Sequence, residues 1–152
     1  MRQVIAWLYQ ALGASVAVGI MEGLARLGHH EAVRVPFVTS IVLTLFASES
    51  TPAQPYSVVT GHLVSSIAGL AALACLGPGD AAAALGVGTA ALLMMASRAP
   101  HPPAGVDAFL IAQLGLSWFW IVNPVLIGAV LLAAFSRLWA LAGRYLSVQG
   151  CR

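Results

Sequence analysis

Residues 57–76, SVVTGHLVSSIAGLAALACL, form a twenty-residue apolar run without Asp, Glu, Lys or Arg. Twenty helical residues measure about 30 Å, the thickness of the hydrocarbon core of a bilayer. The run therefore predicts a membrane-spanning helix. The whole chain agrees, because 60% of its 152 residues are hydrophobic and only 8% are charged, against about 25% in soluble domains. The sequence predicts one all-α, polytopic membrane domain over residues 1–152.

Apolar segments on both sides of this run predict a bundle of transmembrane helices with four or five crossings. The segments lie approximately at residues 4–25, 36–48, 57–76, 81–97, 104–116 and 123–142. A helix over 36–48 or 104–116 is about 20 Å long, too short to cross. We expect 104–116 to be a short or re-entrant piece.

Two proline motifs interrupt these segments, Pro52-Ala-Gln-Pro55 and Pro100-His-Pro-Pro103, and an Ala-Ser pair stands shortly before each. The pattern suggests a duplicated helix–PxxP–helix unit, although chance can produce it in so simple a sequence. Broken helices in a membrane occur where backbone packs on protein or lines a cavity. The helix N-termini expected near Ser57 and Gly105 favour anions, as in some transporters. The alternative is a pair of ordinary surface loops.

Ionisable side chains at membrane depth are costly and often functional. His62 and His101 are predicted to line a solute path, or else to form structural hydrogen bonds. Glu49 and Arg98 hold matching places before the two motifs, which suggests an architectural salt bridge between them. Asp107 falls in the first turn of its helix, where a carboxylate stabilises the helix end, and it opposes anion entry unless it is protonated or paired with Arg98.

Other functional classes find little support. All seven basic residues are arginines spread along the chain, so no nucleic-acid patch is expected. Cys75 and Cys151 have no CxxC or CxxH neighbour, and the four histidines lack metal-binding spacing. We expect no metal, no cofactor, no disulfide and no enzymatic activity.

The arginines also carry information on topology. With five crossings they divide into Arg26, Arg34, Arg137, Arg144 and Arg152 on one side and Arg2 and Arg98 on the other. The positive-inside rule then predicts a cytoplasmic C-terminus, an outside N-terminus and outward proline motifs. A bacterial inner membrane is the expected location.

Three motifs in order resemble the HPP family of small integral membrane proteins. They are His101-Pro-Pro-Ala-Gly105, Ala53-Gln-Pro55 followed by Gly61-His62, and Asn123-Pro-Val-Leu-Ile-Gly128. The resemblance covers about residues 36–144. It implies a membrane domain usually described with four transmembrane helices. Some members of the family transport nitrite. Carried over as site residues are Gln54, Gly61, His62, His101, Pro102 and Pro103.

Two departures from the family pattern concern charge. The family commonly continues HPPAGATAL where this chain reads HPPAGVDAF, which introduces Asp107, and Glu49 stands where the family is usually apolar. The added carboxylates favour a protonatable path or another small solute over nitrite itself.

The sequence therefore predicts a channel or secondary transporter for a small polar solute, with an inorganic anion such as nitrite as the first choice. The alternative is a membrane sensor or assembly module that transports nothing. A homo-oligomer is expected, because 15.7 kDa is small for one chain to enclose a pore.

Overall fold

The computed structural model describes residues 2–28 and 34–146, and every regular element in that part is helical. The α-helices are α1 Arg2–Gly28, α2 Arg34–Phe46, α3 Pro55–Leu76, α4 Asp80–Ala96, α5 Gly105–Leu114 and α6 Ile127–Tyr145. Two 3-10 turns, Thr51–Ala53 and Pro102–Ala104, separate α2 from α3 and α4 from α5. The polar link expected at 28–34 falls mostly outside the described residues, as do Cys151 and Arg152.

Three helical stretches are long and apolar enough to cross a membrane: Gln3–Gly28, Pro55–Leu76 and Ile121–Tyr145. Two shorter apolar helices, Arg34–Phe46 and Asp80–Ala96, accompany them. The all-α prediction is confirmed, and the helices lie within a few residues of the predicted segments. The last helix differs most, since α6 begins four residues later and ends three residues later than predicted. The shortest helix is α5, whose 10 residues measure only about 15 Å.

Proline and glycine set the helix ends. Pro55 is the first residue of α3, where the missing N–H costs nothing. Gly77 and Gly115 follow the last residues of α3 and α5 with φ values of 74° and 64°, a region that glycine enters without steric cost. Asn123 has an extended backbone and a cis peptide bond to Pro124, and regular helix resumes at Ile127.

The helices α3, α4 and α5 pack through small residues. A Cβ atom on Gly69 would lie 2.7 Å from the Cα atom of Ala108, and one on Gly86 would lie 3.3 Å from the Cα atom of Gly69. Close backbone approach of this kind is typical of helices in membranes, where small side chains increase van der Waals contact. Larger side chains from α1, α2 and α6 pack on the other side of α3 around Phe37 and Val58.

The helices α1 and α6 run antiparallel. Tyr9, near the start of α1, donates a hydrogen bond to the carbonyl of Trp139 near the end of α6 (2.8 Å). At the other end Gly28 and Asn123 line one cavity. Arg26 and Arg34 therefore lie at the opposite end of the bundle from Arg137 and Arg144. The predicted division of the arginines, which placed these four on one side, is wrong.

The short helix α5 explains this error. It ends beside the turn between α3 and α4, because the N–H of Gly79 donates to the carbonyl of Ala112 (3.1 Å) and a Cβ atom on Gly115 would lie 3.5 Å from the Cβ atom of Pro78. α5 thus carries the chain from the second proline motif to the far end of the bundle. The count of five crossings leaves out this passage through the bundle. Including it reverses the direction of α6.

Candidate functional site

His62 lies on α3, seven residues after Pro55, and is fully buried. Its ring stacks on Phe37 of α2, with ring centroids 4.5 Å apart and planes nearly parallel. Its Nδ1 lies 2.5 Å from Oδ2 of Asp107 on α5. A buried histidine with a carboxylate partner is held in one orientation and can carry a proton.

His101 is also fully buried and immediately precedes the turn Pro102–Ala104. Its Nδ1 donates to the carbonyl of Pro52 in the first proline turn (2.7 Å). Gly61 makes this position possible, since a Cβ atom there would lie 2.6 Å from the Cβ atom of His101. The two proline turns therefore meet directly.

Ser40 of α2 connects the two histidines. Its Oγ lies 3.1 Å from Nε2 of His62 and 2.9 Å from Nε2 of His101. The same oxygen lies 2.9 Å from the carbonyl of Pro36. We call the four side chains Ser40, His62, His101 and Asp107 the histidine centre.

Asp107 lies in the first turn of α5, as predicted. Its Oδ2 contacts His62, a partner that the sequence did not predict, rather than Arg98. Its Oδ1 is buried and has no hydrogen-bond partner among the described residues. A buried carboxylate oxygen without a donor is costly, so this atom marks a place for a proton or for a bound molecule.

The start of α5 offers few free donors to an anion. Pro102 and Pro103 have no N–H group, and the N–H of Ala108 donates to Oγ of Ser65 on α3 (3.3 Å). The hydroxyl of Ser65 donates in turn to the carbonyl of Ala104 (2.6 Å). Few N–H groups therefore remain at this helix N-terminus to donate to the solute that is expected there.

A polar cavity of about 80 Å³ opens between α2, the first proline turn and α6. We call it the arginine pocket; its lining residues are Thr44, Ser48, Glu49, Ala53, Gln54, Pro55, Ser136, Arg137, Ala140 and Arg144. Gln54 is oriented there, since its Nε2 donates to the carbonyl of Ser48 (2.9 Å) and its Oε1 lies 3.5 Å from the Arg137 guanidinium.

The arginine pocket and the histidine centre share two pieces of backbone. Thr44 lies one helical turn after Ser40 on α2, and Ala53 follows the residue whose carbonyl accepts from His101. The pocket is therefore bordered by the same stretches of α2 and of the first proline turn that contact His62 and His101.

The remaining predicted site residues lie farther from the centre. Arg98 is exposed on a turn with a positive φ of 55°. Pro102 is exposed, and Pro103 and Gly105 are half-buried. Glu49 is exposed on the wall of the arginine pocket, and beside the first motif Tyr56 donates to the carbonyl of Ser97 (3.1 Å).

A second cavity, of about 220 Å³, lies between α1, α2 and α6. Its walls are almost entirely apolar side chains, among them Met21, Leu24, Phe37, Ile41 and Phe135. Such a surface does not stabilise a polar solute.

Sequence reasoning missed Ser40, Arg137 and Arg144. Ser40 and Thr44 stand four residues apart on an apolar helix, so they share a face, and this spacing is the one available signal. From the sequence, the two arginines indicate only topology, because nothing in the order of the chain places them next to Gln54.

A helical membrane bundle with ionisable side chains buried at its centre defines a polytopic integral membrane protein with a polar interior site. The chain belongs to the family described as HPP, transmembrane region, which it matches over residues 1–145. It is also 31% identical over 105 residues to a transmembrane protein of Dictyostelium discoideum, a match that covers 63% of this chain and 36% of the relative. The chain thus spans about a third of that relative. No solved structure matches it significantly.

Proposed function

We propose that this protein is a membrane transporter or channel for a small polar solute, with a small inorganic anion such as nitrite as the first candidate. The observation that carries the proposal is the arginine pocket beside a buried histidine centre. Ionisable groups inside a membrane protein commonly mark substrate or ion pathways. Two guanidinium groups at the pocket suit a small anion, which they attract from water.

The residues divide into an outer and an inner group. Arg137 and Arg144 would attract the solute, and Gln54, whose Oε1 lies 3.5 Å from the Arg137 guanidinium, would orient that arginine. His62 and His101, which are buried, would then bind the solute deeper in the bundle. Each of their ring nitrogens already has a protein partner, so a solute reaches the rings only when these hydrogen bonds exchange. This requirement favours a gated route over an open pore.

The proposed orientation uses the corrected ends of the bundle. Arg2, Arg98, Arg137 and Arg144 belong to one end, and Arg26 and Arg34 to the other. The positive-inside rule then supports a cytoplasmic C-terminus, now with the arginine pocket and both proline turns on the same side. We propose a bacterial plasma membrane location and a homo-oligomeric assembly, which mass measurement of the detergent-purified protein would test.

The alternative is a sensor or assembly module without transport activity. One observation favours it: the histidine rings are fully committed to protein partners, as in a structural network.

Flux into proteoliposomes separates these functions. We expect uptake of nitrite above uptake of nitrate and of neutral urea, and above protein-free liposomes. In Arg137→Ala, nitrite uptake should fall about ten-fold or more at low ionic strength, since steering is lost. Arg26→Ala is the matched control, because that side chain is 74% exposed at the opposite end. If the wild-type protein moves none of the three solutes, the transport proposal fails and the module remains.

A further inference from the structure

We propose that Asp107, His62, Ser40 and His101 form a proton relay, which takes up one proton as a monovalent anion enters the arginine pocket. The inference rests on the proposed transport function and adds that anion transport is coupled to proton uptake. It follows from counting hydrogens along the four side chains.

The count begins at His101. A carbonyl oxygen can only accept, so the Nδ1 of His101 carries a hydrogen that it donates to Pro52. In a neutral histidine one nitrogen donates and the other accepts. The Nε2 of neutral His101 is therefore an acceptor, and within residues 2–28 and 34–146 its hydrogen-bond partner is the hydroxyl of Ser40.

Ser40 has one hydrogen and three possible acceptors. These are the carbonyl of Pro36 and the Nε2 atoms of His62 and His101, at 2.9, 3.1 and 2.9 Å. When Ser40 donates to His101, its oxygen accepts from Nε2–H of His62. The Nδ1 of His62 then either accepts a hydrogen from protonated Asp107 or, in the imidazolium, donates to the carboxylate.

The relay can shift one proton without leaving a donor unsatisfied. The Nε2–H bond of His62 breaks as an O–H bond forms on Ser40. The original O–H bond of Ser40 breaks as an Nε2–H bond forms on His101. The products are neutral His62, which donates through Nδ1 to ionised Asp107, and an imidazolium at His101. Atoms and charge balance, and no oxidant or reductant takes part.

One further proton fits the same atoms. With both histidines protonated, both Nε2–H groups donate to Ser40, and the freed hydroxyl hydrogen is donated to Pro36. This state uses all three short contacts of Ser40 at once. It leaves Asp107 ionised and gives the centre a net charge of plus one.

A buried net charge needs a counter-charge nearby. The adjacent polar cavity is the place for an anion, and its arginines already favour one. The ionisable groups that face the centre from α3, α5 and the second proline turn are His62, Asp107 and His101. Glu49, Arg137 and Arg144 lie around the pocket. Entry of an anion therefore stabilises the protonated centre, which couples one proton to one anion.

The test measures proton and nitrite uptake together in proteoliposomes, with a pH dye inside and the membrane potential clamped by potassium and valinomycin. Protein-free liposomes correct for permeation of undissociated nitrous acid. We expect one proton per nitrite for the wild-type protein. Nitrite uptake without proton uptake would overturn the relay and leave the transport function standing. Absence of any nitrite uptake would instead overturn the function on which the relay rests.

The variants address the hydroxyl bridge. In Ser40→Ala proton uptake should fall to the protein-free level, whereas Ser40→Thr, which keeps a hydroxyl, should retain coupling. Ser66→Ala is the matched control, because the hydroxyl of that buried serine donates to a backbone carbonyl of its own helix, that of His62. Unchanged coupling in Ser40→Ala refutes the relay. If Ser40→Ala does not fold, Asp107→Asn serves in its place, and infrared difference spectra with nitrite should lose a carboxyl band.

Discussion

Gly61 is the residue that allows the second proline turn to reach the middle of the bundle. The methyl group in Gly61→Ala would overlap the side chain of His101. Because the neighbouring atom is a Cβ and not a flexible chain end, the turn itself must shift. We expect a loss of about 1–3 kcal/mol in the free energy of unfolding and a fall in nitrite uptake.

Thermal unfolding in detergent measures the first effect. Gly88→Ala is the control, since nothing lies within 4 Å of a Cβ at that position. There the substitution should be neutral or stabilise the helix by up to about 1 kcal/mol. Equal midpoints for the two variants would mean that His101 does not depend on Gly61.

Ser65 joins α3 to the start of α5 through two hydrogen bonds. Ser65→Ala leaves a buried carbonyl and a buried N–H without this partner, which costs about 1–3 kcal/mol. Ser15→Ala removes an exposed hydroxyl that bonds only within its own helix and should change the unfolding midpoint little. A midpoint for Ser65→Ala equal to that of Ser15→Ala would contradict the proposed role of this link.

The sequence identifies some of the site and not the rest for a physical reason. His62 and His101 stand out because an ionisable group is rare in an apolar run. Ser40 does not, because a single hydroxyl on a membrane helix commonly bonds to its own backbone. Its importance comes from contacts with two other segments, which no local pattern records.

At the scale of elements, apolar length, proline and glycine predict where the helices lie along the chain. They do not predict in which direction each helix crosses the bundle, as α5 illustrates. Its ten residues resemble a re-entrant piece in length, and the hydrogen bond from Gly79 to the carbonyl of Ala112 shows that it reaches the far end of the bundle. The length of a helix predicts whether it can cross the membrane, but not at which end of the bundle a short helix begins.

The contact between α1 and α6 gives a test at this scale. Tyr9 stacks on Trp139, with ring centroids 4.7 Å apart, and bonds to its carbonyl. Tyr9→Phe keeps the stacking and loses the hydrogen bond, so the free energy of unfolding should fall by about 0.5–1.5 kcal/mol. Tyr145→Phe, at a side chain 90% exposed, is the control. Identical unfolding midpoints would show that the bond contributes nothing to this contact.

At the scale of the molecule, the antiparallel arrangement of α1 and α6 predicts which ends share a side of the membrane. Single cysteines introduced by Arg26→Cys and Arg144→Cys, with Cys75→Ser and Cys151→Ser, should react with a membrane-impermeant maleimide from opposite sides. Right-side-out and inside-out vesicles distinguish the sides. Labelling of both positions from one side would contradict the arrangement.

The ring of Phe37 separates His62 from the apolar cavity between α1, α2 and α6. One face lies on His62, while its edge lies against Gly128 and the apolar cavity between α1, α2 and α6. An acyl chain that entered that cavity would contact the same ring that stacks on His62. The position of the histidine would then respond to the surrounding lipid without a lipid touching any polar atom.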